Sequence, residues 1–444
     1  MNNKYSCIVM GAAGRDFHIY LSFLRNNPHF HVEAFTATQI PFIDDRIFPA
    51  SLAGADYPDG IPIFDESELT DLIRNRSVDF VFFAYSDIAH SQLMHKASLV
   101  QAAGASFVML GPDHTQLESM VPVISITATR TGAGKSPLTQ WLARSLMDKG
   151  KSVSVIRHPM PYGNLSLQRV QCFNTPEDLD RQECTIEERE EYDPYVKMGI
   201  PIYAGVDYRG ILDEAQGGVD VVLWDGGNND FSFIRPDLNI VVVDALRAGH
   251  EIDYFPGEVN FRRADVLVIS KCETAAPGAV EDIRERAAQL NPDATVCTSD
   301  LEIMVDKPDQ LMDQKVLVIE DGPTVTHGGM SFGAGIVAAQ QYGARPVDPR
   351  PYAEGTIRDV FTANPHLERV LPAMGYSDFQ RASLRKSALA CCRGEGIGCI
   401  LDASPAFFDW ELDDEVPVVR VSYRFVQLDG PSLLDRVMNL LEQD

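Results

Sequence analysis

Six runs of nearly unbroken apolar residues punctuate the middle of the chain: V-I-S-I-T, S-V-S-V-I-R, D-V-V-L-W-D, N-I-V-V-V-D, D-V-L-V-I-S and K-V-L-V-I-E. Runs of this length without polar alternation predict strands buried on both faces, the condition of a parallel sheet sandwiched by helices. The first 118 residues carry a smaller set of the same kind, C-I-V-M-G, V-E-A-F-T-A, D-F-V-F-F-A-Y and F-V-M-L-G, separated by helical stretches. Between the second and third of the central runs lies a polar, carboxylate-rich segment, Asn174 to Asp193, which reads as a solvated helix or a lid. After about Pro346 the pattern changes. D-P-R-P-Y-A-E-G-T is loop-like, and helical stretches then lead to G-C-I-L-D-A-S, P-V-V-R-V-S-Y-R-F and an amphipathic D-R-V-M-N-L-L-E. The predicted architecture is α/β in three parts: a Rossmann-like domain over residues 1–118, a domain with a mainly parallel sheet over 119–345, and a C-terminal α/β extension over 346–444.

Composition narrows the partners. The 444 residues carry a formal net charge of −26, which argues against nucleic acid and anionic membranes, both of which are bound through clustered Lys and Arg. A polyanionic ligand would need a local basic cluster against that background. No apolar run approaches the roughly 18 residues of a membrane helix, and M-N-N-K-Y-S-C-I-V-M lacks a signal peptide's apolar stretch, so a cytoplasmic location is expected. The eight cysteines form no C-x-x-C pair and no zinc-type spacing, which predicts reduced thiols.

The most specific stretch is T-R-T-G-A-G-K-S, Thr129 to Ser136, placed between a strand and a helix. That context marks a phosphate-binding P-loop. Backbone N–H groups of Arg130, Thr131, Gly132, Ala133 and Gly134, with the positive end of the helix, would surround phosphates; Lys135 would reach the β- and γ-oxygens and Ser136 would ligate Mg²⁺. The opening glycine of the usual motif is replaced by Thr129. Pro137 falls in the first helical turn, where its missing N–H costs nothing. This makes the central domain a P-loop NTPase domain.

Such a loop needs a carboxylate at the end of a neighbouring strand to hold the metal. D-V-V-L-W-D-G-G-N-N-D supplies Asp225, the preferred metal ligand; Asp244, ending the next strand, is a supporting residue, a base or a helix cap. S-K-C-E-T stands where related proteins use N-K-x-D to read guanine, and it offers Lys271 and Glu273 to a base, leaving adenine at least as suitable as guanine. Arg157 with His158, and Arg247 with His250, follow two strands at their carboxyl ends, where ligands of parallel sheets bind; they are candidates for an anionic second substrate. Lys135, Asp225, Arg157 and Arg247 form the candidate catalytic set. E-D-G-P-T-V-T-H-G-G-M, Glu320 to Met330, is a further candidate substrate loop carrying His327. The early G-A-A-G-R-D, Gly11 to Asp16, is only part of a dinucleotide fingerprint and reads equally as a plain tight turn.

With these stretches assembled, the chain resembles the cyclic 2,3-diphosphoglycerate synthetase family. The resemblance runs through V-M-G-A-A-G-R-D-F, A-F-T-A-T-Q-I-P, the P-loop, R-H-P-M-P-Y-G, C-T-I-E-E-R-E-E-Y, W-D-G-G-N-N-D, E-D-G-P-T-V-T-H-G-G-M and D-P-R-P-Y-A. It implies ATP- and Mg²⁺-dependent closure of an intramolecular phosphoanhydride from 2,3-diphosphoglycerate, with release of ADP and phosphate. In that light Lys135 and Ser136 would handle ATP and Mg²⁺. Arg157, His158, Arg247 and His250 would hold the small anionic substrate. The resemblance also implies a homodimer. S-K-C-E and the segment G-C-I-L-D-A-S-P-A-F-F-D-W depart from the family pattern, which leaves open a related kinase or ligase acting on another small acid. A P-loop GTPase or ATPase of regulatory or metal-delivery type is the rival reading; it lacks here a faithful guanine motif and His or Cys clusters. A nicotinamide oxidoreductase is disfavoured by the absence of G-x-G-x-x-G.

Overall fold

The buried apolar runs become strands that pair in parallel. The computed structural model describes residues 4–12, 14–38, 46–158, 163–227, 230–326, 328–373, 378–404 and 416–442. The chain divides into two compact units, the first comprising 1–174, 198–298 and 429–444, the second 175–197 and 299–428.

The first unit opens with β1 (Tyr5–Met10), β2 (Phe30–Ala37), β3 (Ile47–Phe48), β4 (Ile61–Asp65), β5 (Phe80–Phe83), the short β6 (Ile88–Ala89) and β7 (Ser106–Val108). Their sheet runs β3-β4-β2-β1-β5-β7, parallel except for the edge pair β3 and β4. Strand alternation gives it two apolar faces. Cys7, Val9 and Phe35 pack on Phe17 and Tyr20 of one side, while Ile8, Met10, Ala34 and Phe83 pack on Leu69, Ile73, Leu93 and Val100 of the helices on the other.

The same unit continues with β8 (Val123–Ala128), β9 (Val153–Arg157), β10 (Gln171–Phe173), β11 (Ile202–Ala204), β12 (Val221–Asp225), β13 (Leu238–Asp244), β14 (Tyr254–Phe255), β15 (Val266–Ser270) and the start of β16 (Thr295–Val305), a strand whose residues from 299 on belong to the second unit. Their order is β10-β11-β9-β12-β8-β13-β15-β16, parallel apart from β10 with β11; β14 instead pairs antiparallel with β6. Strand β8, which feeds the P-loop, is central and wholly buried, with β12 on one side and β13 on the other. The loops leaving the carboxyl ends of these three strands are therefore neighbours, the arrangement in which parallel sheets bind ligands.

The second unit holds the polar segment of the sequence as two helices, Pro176–Arg181, with a capping box at Thr175, and Ile186–Lys197. Its sheet contains β17 (Lys315–Asp321), β18 (Arg345–Pro346), β19 (Leu371–Ala373), β20 (Cys399–Asp402) and β21 (Val418–Asp429), in the parallel order β21-β20-β17-β18 with β19 also on β17. The last of the six apolar runs, K-V-L-V-I-E, thus pairs with β20 and not with the strands around the P-loop. An apolar run encodes burial on both faces but not the identity of its partners, so its place could not be read from composition.

Candidate functional site

Strand β8 ends at Ala128 and the chain enters the P-loop, Thr129 to Gly134, before the helix Lys135–Asp148. The two positions that need glycine are Gly132 and Gly134, with φ of 75° and 105°. Thr129 has no such need: its φ is not positive, and its N–H donates to the Val242 carbonyl of β13 at 3.0 Å. The space above it is closed from the other side, because a Cβ on Gly257 would fall 2.2 Å from the Thr129 oxygen. The unusual opening residue therefore leaves the phosphate-facing part of the loop intact.

Three consecutive carbonyls of the loop are drawn outward by groups on neighbouring strand ends. Arg247 donates to the Thr131 oxygen at 2.6 Å, Lys271 to the Gly132 oxygen at 2.6 Å, and the Ser270 hydroxyl to the Ala133 oxygen at 2.5 Å. Both cations also converge on one carboxylate oxygen of Asp244, Arg247 at 2.7 Å and Lys271 at 2.9 Å. Burial alone would raise the Asp244 pKa, but Lys271 and Arg247 outweigh it and hold the group below its ordinary value. These three contacts fix the backbone of the loop ahead of the helix N-terminus, the end of a helix that favours anions.

On the other side of β8, β12 and β9 are paired so that Asp225 lies directly opposite Arg157. Arg157 meets the Asp225 carboxylate at 2.9 Å, and its guanidinium also donates to the carbonyls of Asp225 and Gly226 at 3.3 and 3.4 Å. The same carboxylate oxygen lies 3.8 Å from the Lys135 ammonium and accepts from the Thr139 hydroxyl at 3.3 Å. Lys135, Asp225 and Arg157 thus form one buried cluster beside the start of the loop helix, where Ser136 is the next residue.

The remaining cations are also held. Arg130 donates to Asp87 at 2.7 Å, lies 3.6 Å from the ring centroid of Tyr254 and contacts Nδ1 of His250. Burial, Arg130 and Arg247 together lower the His250 pKa, so its ring is neutral and accepts from the guanidinium. Asp87 further accepts the Thr131 N–H at 3.3 Å, tying the segment after β5 to the P-loop. His158 pairs with Asp230 at 3.1 Å, and Arg15 reaches the other oxygen of Asp230 at 3.4 Å. Gly14 abuts this histidine so closely that a Cβ would lie 2.6 Å from it. The G-A-A-G-R-D turn itself is not shaped for a phosphate: the Asp16 carboxylate occupies the space over Gly11, where an added Cβ would meet it at 2.5 Å, and an anion there would be repelled.

Lys271 donates to Asp244 and to the Gly132 carbonyl of the loop, while Glu273 is exposed. His327 lies outside the described residues. In the second unit, Glu320 accepts from the N–H groups of Gly333, Gly335 and Ile336 at 3.0, 3.2 and 2.9 Å, and Asp321 caps the short helix after β17 through Thr324. Burial pushes the Glu320 carboxyl up to about 7, against the pull of those three N–H groups. Among the described residues no group of three or more His, Cys, Asp or Glu side chains is arranged to hold a metal, and no helix is long and apolar enough to cross a membrane. Sequence reading missed Asp87, Ser270, Thr139, Asp230 and Tyr254. Each acts through a residue distant in sequence, so no local pattern announces it.

No family model matches the chain. The chain is 49% identical over 431 residues to arginine synthetase ArcE from Thermococcus kodakarensis, covering 97% of this chain and 95% of that one. It is 30% identical over 135 residues to the tetraacyldisaccharide 4'-kinase of Dechloromonas aromatica, which covers 29% of this chain and 38% of that one. A crystal structure of LpxK from Aquifex aeolicus in complex with ATP aligns at 15% identity with a TM-score of 0.39, over 74% of this chain and 90% of that one. With 49% identity running through nearly the whole of both sequences, the chain belongs to the family of arginine synthetase ArcE.

Proposed function

We propose that the protein is an ATP-dependent ligase whose product is arginine. The observation that carries the nucleotide half is the Lys135–Asp225–Arg157 cluster beside a loop in which the Thr131, Gly132 and Ala133 carbonyls are held by Arg247, Lys271 and Ser270. Near-full-length identity to a protein named arginine synthetase supports the product. Ser136 and Asp225 offer hydroxyl and carboxylate oxygens, the hard donors that suit Mg²⁺, and would hold it. The metal, when bound, supplies neutralisation of the phosphate oxygens.

In this reading the loop N–H groups orient the triphosphate, Lys135 moves from Asp225 onto the β- and γ-oxygens, and Arg157 fixes the Asp225 carboxylate in place. The ureido oxygen of an amino acid attacks the γ-phosphorus and the β–γ P–O bond breaks, releasing ADP; ammonia then attacks the ureido carbon, a C–N bond forms, and the C–O bond breaks with the oxygen leaving on phosphate, which takes the proton lost from the ammonia nitrogen. ADP and phosphate are the other products.

Formation of cyclic 2,3-diphosphoglycerate would use the same nucleotide half and a more heavily charged acceptor. Against it stands the pairing of Arg157, Arg247, Lys271 and Arg130 with Asp225, Asp244 and Asp87, which cancels much of the positive charge such an acceptor needs. The deciding experiment incubates the protein with ATP and Mg²⁺ and either a ureido amino acid with ammonia or 2,3-diphosphoglycerate. Amino-acid analysis and phosphorus NMR follow the products. Arginine and equimolar ADP are expected in the first mixture and loss of both in Lys135→Ala. A cyclic anhydride in the second mixture with no arginine in the first would replace this reading by the other.

A further inference from the structure

The carboxyl ends of the strands are the edge at which a parallel sheet binds ligands. In the N-terminal sheet that edge is joined to the P-loop sheet. After β1, the Arg15 guanidinium reaches Asp230 of the loop after β12 at 3.4 Å and lies 4.2 Å from the ring centroid of Phe231, while Gly14 abuts His158, which follows β9. After β5, Asp87 meets Arg130 of the loop that leaves β8, and β6 pairs with β14 on the segment that leaves β13. Each of these ties links a carboxyl end of one sheet to a carboxyl end of the other.

The tie at Asp87 reaches the P-loop itself. One carboxylate oxygen accepts from Nε of Arg130 at 2.7 Å and the other from the Thr131 N–H at 3.3 Å. The Asp87 and Arg130 side chains are 11% and 6% exposed, so the pair is shielded from the solvent that weakens surface pairs. Arg130 is also stacked on Tyr254, and Tyr254 is the β14 residue paired with Ala89 of β6, two residues beyond Asp87. The Thr131 residue is held at both ends, its N–H by Asp87 and its carbonyl by Arg247. Asp87 makes these bonds from a left-handed backbone, φ 53°, which Asp tolerates better than most residues. Among the described residues six that are not glycine have a positive φ, and two of them, Asp87 and Lys271, bond to the P-loop. Such conformations persist where the surrounding structure holds them, and they gather at ligand clamps. Because Arg130 neutralises the carboxylate, Asp87 adds little repulsion for a phosphate on the loop, and its effect there is geometric.

We propose that Asp87 is a positioning residue of the nucleotide site, and that the N-terminal sheet serves through it to set the shape of the loop that receives ATP. The inference rests on reading that loop as an ATP site and not on the identity of the acceptor. It is tested by calorimetric titration of the full chain with ATP and Mg²⁺, well below the melting temperature of each variant. Asp87→Asn keeps the shape of the side chain and removes its charge, and is expected to weaken ATP about tenfold. Val32→Ala separates this from general loosening of the sheet: Val32 is a core residue near the amino end of β2, so the variant should melt lower than the parent and bind ATP within about twofold of it. Tyr254→Leu takes the ring from Arg130 without altering any charge and should weaken ATP several-fold; it decides the matter if Asp87→Asn does not fold. An ATP affinity equal to the parent's or tighter in Asp87→Asn overturns the role of Asp87, and so does an equal loss of affinity in Val32→Ala. A parent that melts normally and binds no ATP overturns the nucleotide reading instead, and the inference with it.

Discussion

Replacing Asp244 by Asn isolates the device that shapes the P-loop without touching a phosphate-facing group. The carboxylate is 1% exposed and serves Arg247 and Lys271, whose side chains are 8% and 13% exposed. Removing one partner of a buried ion pair costs about 3–5 kcal/mol. Both cations keep a loop carbonyl and Asn keeps one acceptor oxygen, so the lower end, about 3 kcal/mol, is expected. For a chain this large that corresponds to a fall in melting temperature of roughly 3 °C. Freed from Asp244, the cations hold the Thr131 and Gly132 carbonyls less firmly. About 1.4 kcal/mol of that loss should appear in nucleotide binding, a tenfold weaker ATP affinity. The pKa of Asp244 is depressed, so its stabilising effect is complete above the unfolded value of about 3.9 and is lost as pH falls through the folded value. The deficit of the variant should therefore be constant from about pH 5 to 8 and shrink only in acid. Scanning calorimetry and ATP titration measure both quantities. The exposed pair of Arg263 with Asp113 provides the control, since Asp113→Asn should cost under about 1 kcal/mol. An Asp244→Asn protein that melts within a degree of the parent and binds ATP equally well would refute the argument that this carboxylate organises the loop.

Restoring the missing glycine of the motif should bring no benefit. Thr129 needs no left-handed backbone and bonds to β13, so Thr129→Gly should lose about 0.5–1 kcal/mol of stability through chain entropy and leave ATP affinity unchanged, as melting and titration would report. Glu320 behaves oppositely to Asp244: its folded pKa of about 7 lies above the unfolded carboxyl value, so the folded form binds the extra proton and stability falls as pH rises from about 4.5 to 7. That window is worth on the order of 3 kcal/mol, and Glu320→Gln should flatten the dependence in melting curves taken between pH 5 and 8.

What was legible in the sequence is what is contiguous in it. The P-loop, its flanking strand and helix, and the run of fully buried parallel strands all rest on local pattern, and the structure has them with mainly parallel pairing. Sheet neighbours are a different kind of fact. That Asp225 and Arg157 are opposite each other follows from β12 lying between β9 and β8, which no spacing encodes. The reach of Asp87 to Arg130 depends on two sheets meeting.

One local signal could have been read further. Asp244 and Arg247 stand three residues apart at a strand end, close enough to pair, and that pairing changes what the arginine does. A chain of net charge −26 can place cations at a ligand site only if they are stable before the ligand arrives. A buried Arg or Lys without a counterion costs several kcal/mol, so each is matched by a carboxylate in the ligand-free protein. Counting strand-end cations as available to substrate therefore overstates the positive charge of the site. Lys135 shares its carboxylate with Arg157 at 3.8 Å against 2.9 Å, a looser hold than the arginine's, and so is the cation of that pair best placed to transfer to a phosphate.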